Sequence, residues 1–355
     1  MKIGVARETK EGERRVALLP AHVAVLAREG HDVRVERAAG AGVGAADEAY
    51  AAAGARVVPG GEAWDCELIV KVKEVQPGEV DRVKPGPALF GYQHLAGEPG
   101  MTRALAARGA TAIAFELVRG ADGGYPLLAP MSAIAGRMAI AAAQRILGAV
   151  PSDVLVLGAG HAGLAAAQAA LASGSRVTVL TRSEASRAAA AARLGPDADC
   201  GIAAAETVER SALRADAVVG AVFVPGAPTP KLLPRALVRR MKRGAVILDV
   251  SIDAGGVAET SRPTTHAEPT FVEEGVIHYC VANIPAADPA ASAAALADAA
   301  LPYVQALARL GIEPAIHASA GLRSGLVLWR GGVSHRGIAE ESGLPYTPVF
   351  APPAP

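Results

Sequence analysis

Cysteine is nearly absent: Cys66, Cys200 and Cys280 are the only three in 355 residues. Their spacing matches no metal-ligand pattern, so no metal site is expected. They need no disulfide framework, which suits a reducing compartment. An excess of either charge is also missing. The 35 basic and 35 acidic residues cancel, which removes the basic footprint of a dedicated nucleic-acid binder. No apolar run approaches the length that crosses a bilayer, and Met1-Lys2-Ile3-Gly4-Val5 reads as an opening strand, not as a leader peptide. These absences point to a cytoplasmic protein without membrane or nucleic-acid partners. The length suffices for two domains with sizeable cores.

The most informative stretch is Val154-Leu-Val-Leu-Gly-Ala-Gly-His-Ala-Gly163. An apolar run, 154–157, predicts a buried parallel strand. It breaks into Gly158, Gly160 and Gly163, with a small-residue helix expected over 164–172 and a second strand over 176–180. In a strand–turn–helix of this kind the first glycine permits the tight turn. The second lets backbone approach a pyrophosphate, and the third lets helix and strand pack closely. The helix N-terminus, opened by His161 and Ala162, offers unpaired N–H groups to phosphate. The spacing and context together predict dinucleotide binding.

Elsewhere the patterns alternate. Strands are expected at 2–5, 32–36, 56–58, 68–75, 88–95 and 111–115, and helices at 20–29, 45–53 and 101–108. A long apolar helix over 129–147 suits a connection between domains. Strands follow at 217–222, 245–250 and 275–280, with a helix at 234–241. Alanine-rich 188–192 and 290–300 favour helix. A long helix over 290–310 is expected to return to the first domain, making it discontinuous, before a Pro- and Gly-marked end over 311–355. The expected division is a substrate domain of residues 1–127 plus 291–355 and a dinucleotide-binding domain of residues 128–290. Alternating strands and helices imply α/β layers around parallel sheets.

Ligands of open α/β sheets bind beyond the carboxyl ends of the strands. Arg15 ends a charged loop after the first strand, Lys71 and Lys73 share a face of the strand at 68–75, and His94 ends the strand at 88–95. An arginine fork suits a carboxylate, a lysine suits a carbonyl or carboxylate oxygen, and a histidine exchanges protons near neutral pH. Together they suit a small anionic substrate with a carbonyl carbon. Each also fits a plainer role, as a solvated charge, a strand-edge lysine or a structurally satisfied histidine. Asp253 follows the strand at 245–250 beside glycines, where it can meet cofactor and substrate or simply make a turn.

These residues converge on one family. The chain resembles bacterial alanine dehydrogenases and the related nicotinamide nucleotide transhydrogenase domains. The markers run along nearly the whole chain: Glu8-Thr-Lys with Glu13-x-Arg15-Val, Lys71-Val-Lys73-Glu, Tyr92-x-His94-Leu-Ala, Pro126-Leu-Leu-Ala-Pro-Met-Ser132, the glycine motif, Glu259-Thr-Ser-Arg-Pro-Thr-Thr-His266 and His278-Tyr-Cys-Val-Ala-Asn283. The resemblance implies two Rossmann-like doubly wound domains with a cleft between them. It implies reversible reductive amination of a small 2-oxo acid with ammonia and a reduced nicotinamide cofactor. Arg15 and Lys73 resemble the groups that hold the 2-oxo acid, His94 the general acid/base, and Asp253 a second catalytic acid. Ser132 and Asn283 match positions near the nicotinamide, and Val222 and Ile252 join the candidate cofactor contacts. A homo-oligomer, dimer or hexamer, is implied as well. Competing readings are an imine reductase or cyclodeaminase-like enzyme, and a non-catalytic transhydrogenase-like nucleotide module.

The chain also departs from that pattern. Gln93 stands where the family usually has Leu, Val75 where it has Pro, Ala254 where it has Gln, and Ile284 where it has Met; the connection over 147–152 is much shorter. These changes put pyruvate in doubt as the substrate and favour an acid with a more polar side chain. Where the family has Asp at the end of the second nucleotide strand, this chain has Thr181, followed by Arg182 and Ser183. Losing the carboxylate removes a ribose 2′-OH acceptor and a repulsion against a 2′-phosphate. NADP(H) is therefore expected over NAD(H), which stays the alternative.

Overall fold

A computed structural model describes residues 1–224 and 228–349. The end of the expected C-terminal stretch, 350–355, lies outside the described residues. The chain divides into two compact units, Met1–Pro130 with the described residues from Asp288 onward, and Met131–Ala287.

The first unit is built on strands β1 (Lys2–Val5), β2 (Asp32–Glu36), β3 (Arg56–Val58), β4 (Leu68–Val70), β5 (Ala88–Gly91) and β6 (Thr111–Ala114). They pair in parallel in the order β3-β2-β1-β4-β5-β6. This is the doubly wound order, and its direction reverses between β1 and β4. Every residue of β4, β5 and β6 is buried, as expected of strands covered on both faces.

The second unit repeats the plan with β7 (Asp153–Leu157), β8 (Arg176–Thr181), β9 (Ala198–Ile202), β10 (Ala217–Gly220), β11 (Val246–Asp249), β12 (Thr270–Glu273) and β13 (Val276–Tyr279). The order is β12-β13-β11-β10-β7-β8-β9, reversing between β7 and β10. Two last strands, β14 (Leu326–Trp329) and β15 (Gly332–Val333), extend the first sheet beside β6.

The helices of the first unit are α1 (Pro20–Arg28), α2 (Asp47–Ala52) and α3 (Pro99–Ala107). Helix α4 (Ala129–Leu147) leads into the second unit, whose helices are α5 (His161–Ala172), α6 (Glu184–Leu194), α7 (Ala205–Arg214) and α8 (Arg235–Val238). Helix α9 (Pro289–Leu310) rejoins the first. His22 of α1 pairs with Asp298 at 2.9 Å, and Arg309 with Glu29 at 2.6 Å.

Several expectations need correction. The sheets are mixed at their edges, because β12 pairs antiparallel with β13, β14 with β6, and β15 with β14. The strand expected over 68–75 stops at Val70, and the one over 88–95 stops at Gly91. Helix α5 starts three residues before the expected 164. Strands β9 and β12 and helix α7 were not expected at all. No helix among the described residues is long and apolar enough to cross a membrane.

Candidate functional site

In the first unit, β1, β4, β5 and β6 lie side by side, and each is followed by chemistry-bearing residues. Glu8, Glu13 and Arg15 come after β1. Lys71, Lys73 and Glu74 come after β4, Tyr92, Gln93 and His94 after β5, and Glu116 after β6.

Buried carboxylates explain why two of these strands stop early. Glu8 accepts the backbone N–H groups of Val72 at 2.7 Å and Lys73 at 3.3 Å. Glu116 accepts those of Gln93 at 3.2 Å and His94 at 2.7 Å. A side chain thus takes the place of a neighbouring strand on one side of each segment, while the two segments still bond each other through Lys71 N–H to Phe90 O and Tyr92 N–H to Val72 O, both at 3.1 Å. His94 takes a left-handed φ of 46°, uncommon outside glycine. The acids themselves are shifted by burial: Glu8 rises to about 7 against the opposing pull of Lys71, and Glu116 is also raised.

Arg15 is 2 % exposed, and its guanidinium is fixed by Glu13, with Nε to Oε1 at 2.7 Å and Nη2 to Oε2 at 2.6 Å. Burial alone would raise the Glu13 carboxyl, but the hydrogen bonds and charge of Arg15 outweigh it and hold it below the usual range. Lys73 places Nζ 5.8 Å from the centre of the Tyr92 ring, and the His94 imidazole stacks on the same tyrosine at 5.6 Å. Burial, then the Arg15 charge, lowers the Lys73 ammonium. The surrounding protein and the nearby Lys73, Lys10 and Arg15 push His94 below the usual imidazole range, against the pull of Glu74.

Arg15, Lys73 and His94 therefore share one electropositive region around Tyr92. Lys71 does not join them, which corrects the expectation of a shared lysine face. Its ammonium is buried against Glu79 at 2.8 Å and Glu8 at 3.6 Å. Gln93 is buried too. Its amide nitrogen donates to Gly91 O at 3.3 Å, while Oε1 has no hydrogen-bond partner among the described residues.

In the second unit the glycine loop joins β7 to α5. Gly158 has φ 99°, and a Cβ there would lie 2.3 Å from Ala221 O. A Cβ at Gly163 would lie 1.9 Å from Gly158 O, so the helix seats directly on the loop. A Cβ at Gly160 would meet nothing within 4 Å among the described residues, which leaves space at the N-terminus of α5 for a phosphate group. His161 and Ala162 form the first turn. Helix α4, which carries Ser132, packs on that turn through Gly136, whose Cβ would come within 2.0 Å of Ala162 O.

Ser251 ties two further candidates together. Its Oγ accepts Val222 N–H at 2.9 Å and its hydroxyl bonds Val222 O at 2.9 Å, immediately before Ile252. Asn283 has φ 55°, and its carbonyl oxygen lies 3.3 Å from His266 Nε2. Asp253 is exposed in the single turn Ile252–Ala254 and belongs to this unit, whereas Arg15, Lys73 and His94 belong to the first. At the end of β8, the Thr181 hydroxyl donates to Ser183 O at 3.1 Å, and Ser183 caps α6 by accepting Ser186 N–H at 3.3 Å. Arg187 is engaged by Glu184, whereas Arg182 is exposed. These donors and the open glycine suit a dinucleotide. No metal-binding cluster occurs among the described residues.

Known proteins match along nearly the whole chain. Residues 4–135 match the profile of the alanine dehydrogenase/PNT N-terminal domain, and residues 129–336 that of the C-terminal domain. An alanine dehydrogenase of Halomonas elongata is 44% identical over 98% of both chains. A solved L-alanine dehydrogenase superposes with a TM-score of 0.91 at 38% identity, covering 96% of this chain and 98% of that one. A transhydrogenase structure from Sinorhizobium meliloti superposes at 0.83 with 25% identity, covering 94% of this chain and 99% of that one.

Proposed function

Because the chain belongs to the alanine dehydrogenase/PNT family, we propose that Arg15, Lys73, His94 and Asp253 carry its chemistry. The protein is an amino-acid dehydrogenase, an oxidoreductase of CH–NH2 groups that works with a nicotinamide cofactor. The observation that carries the assignment of roles is the grouping of Arg15, Lys73 and His94 around Tyr92.

Arg15, its plane fixed by Glu13, and Lys73 hold the carboxylate and carbonyl oxygen of a small 2-oxo acid. His94 is kept neutral by the surrounding protein and by its cationic neighbours. It accepts the proton that ammonia sheds on bonding the carbonyl carbon and passes it to the oxygen, then moves a second proton from that nitrogen to the hydroxyl, which leaves as water. Asp253 serves as the second acid. The chemistry that a nicotinamide would supply when bound is a hydride for the imine carbon, or its uptake in the reverse direction. Gly158, Gly160, Gly163, His161 and Ala162 hold the pyrophosphate, and Ser132, Val222, Ile252 and Asn283 surround the nicotinamide end.

NADP(H) is the preferred form, through Arg182 at the end of β8. The Thr181 and Ser183 hydroxyls are already used within the turn, so the arginine is the main recognition group. A hydrogen bond to a charged group contributes about 1.5–3 kcal/mol, enough for a preference of about ten- to a hundredfold. The expected outcome is a higher kcat/KM with NADPH than with NADH, moved toward NADH in both Thr181→Asp and Arg182→Ala. A wild-type preference for NADH refutes this choice.

For the substrate, Gln93, whose buried Oε1 has no hydrogen-bond partner among the described residues, favours an acid with a polar side chain that reaches it on binding. Initial rates with pyruvate, oxaloacetate, 2-oxobutyrate and glyoxylate identify the acid. Best activity on pyruvate removes Gln93 from substrate choice, and no turnover with any of them refutes the proposed chemistry. The protein acts in the cytoplasm as a homo-oligomer.

A further inference from the structure

We propose that Lys231 is a positioning residue for Asp253, an inference that rests on the catalytic reading of that aspartate. The segment carrying Asp253 is regular only in a single turn, closed by Ala254 N–H to Ser251 O at 3.0 Å and Gly255 N–H to Ile252 O at 2.9 Å. It passes from the turn Ile252–Ala254 into Gly255 and Gly256, with φ of 96° and 76°. Consecutive glycines in the left-handed region leave a backbone with much freedom to lose. The carbonyl oxygens of Gly255, Gly256 and Ala258 all converge on one point, an arrangement that is repulsive without a cation. Lys231 Nζ occupies that point, bonding Gly255 O, Gly256 O at 2.9 Å and Ala258 O at 3.1 Å. An ammonium has three N–H donors, so one side chain matches the three carbonyls.

The segment around Lys231 is bound to the same loop on both sides. Thr229 N–H donates to Ala254 O at 2.8 Å, and Leu233 N–H to Val257 O at 3.1 Å. From the opposite side, Asp249 Oδ2 accepts Val257 N–H at 2.8 Å and the Ser261 hydroxyl at 2.6 Å. The loop is thus gripped at its N–H groups by a carboxylate and at its carbonyls by an ammonium. Lys231 acts on Asp253 through the backbone, so its loss misplaces the carboxylate without removing it. A misplacement of about 1 Å can cost about a hundredfold in rate.

The test follows oxidative deamination, so that added amines are not the co-substrate being varied. In Lys231→Ala and Lys231→Met, kcat is expected to fall by about ten- to a hundredfold, with the dissociation constant of the oxidised cofactor unchanged. Methylammonium is expected to restore much of kcat in Lys231→Ala by occupying the three carbonyls. Tetramethylammonium, which has no N–H donor, is expected not to. Lys231→Met retains the apolar stem and serves if the alanine variant does not fold. Wild-type kcat in Lys231→Met overturns the proposal, as does a Lys231→Ala defect that methylammonium leaves unchanged. Asp253→Asn separates the two claims. If it keeps full activity, the catalytic reading of Asp253 fails. If it is inactive while Lys231→Met is not, only the positioning role fails.

Discussion

Buried polar side chains at the strand ends do different work from one residue to the next. Gln93 Oε1 is buried without a hydrogen-bond partner among the described residues, and such an orphan costs about 1–3 kcal/mol. Gln93→Leu is therefore expected to stabilise the protein by about 1 kcal/mol net of the lost bond to Gly91 O, read as a higher unfolding temperature. A lower one would show that Oε1 is satisfied in solution. Glu8 carries a different consequence. Burial raises its carboxyl to about 7, so between the unfolded value of 4.5 and about 7 the native state binds more protons than the unfolded one. Its contribution is present below the unfolded value and is lost as pH rises through about 7. Relative to Glu8→Gln, the wild type is expected to lose stability from pH 5 to pH 8 in denaturant titrations. A constant difference would mean that Glu8 does not titrate there. For His94, lowered by the surrounding protein and by its cationic neighbours, the acid limb of kcat/KM is expected below the ordinary imidazole range. A limb at that ordinary range contradicts the electropositive site.

Whole elements show why some structure was legible and some was not. The central strands were readable because two buried faces demand continuous apolar runs, as in β4 to β7. Their ends were not, because Glu8 and Glu116 come from other parts of the chain to take the backbone N–H groups. Glu116 did carry a signal, an acid set directly after a buried run. The hairpins β12–β13 and β14–β15 escaped notice for a local reason. Their two-residue turns place Glu274-Gly275 and Arg330-Gly331 at positive φ, where an Asn-Gly pair would have announced the turn. Strand β9 has no buried residue to betray it. The glycine motif was legible in full, and its three positions make separable predictions. Gly163→Ala is expected to destabilise the fold, because its Cβ would strike Gly158 O. Gly160→Ala is expected to fold normally and weaken cofactor binding, measured by nucleotide titration alongside thermal unfolding. Equal stability losses in both would contradict the roles given to them.

The whole molecule applies one plan twice. The strand order of each sheet reverses once, between β1 and β4 and between β7 and β10; Arg15 and Lys73 follow the first pair, and the glycine loop and Val222 follow the second. The assembly proposed for the chain predicts a dimer or hexamer by sedimentation at micromolar concentration, and a monomer would refute it. The most direct test of the function is the rate of reductive amination in wild type and in His94→Ala, followed as loss of reduced nicotinamide absorbance with a 2-oxo acid and ammonia. The account predicts turnover by the wild type and a loss of about 10²- to 10⁴-fold in the folded variant. An unchanged rate in His94→Ala would contradict it.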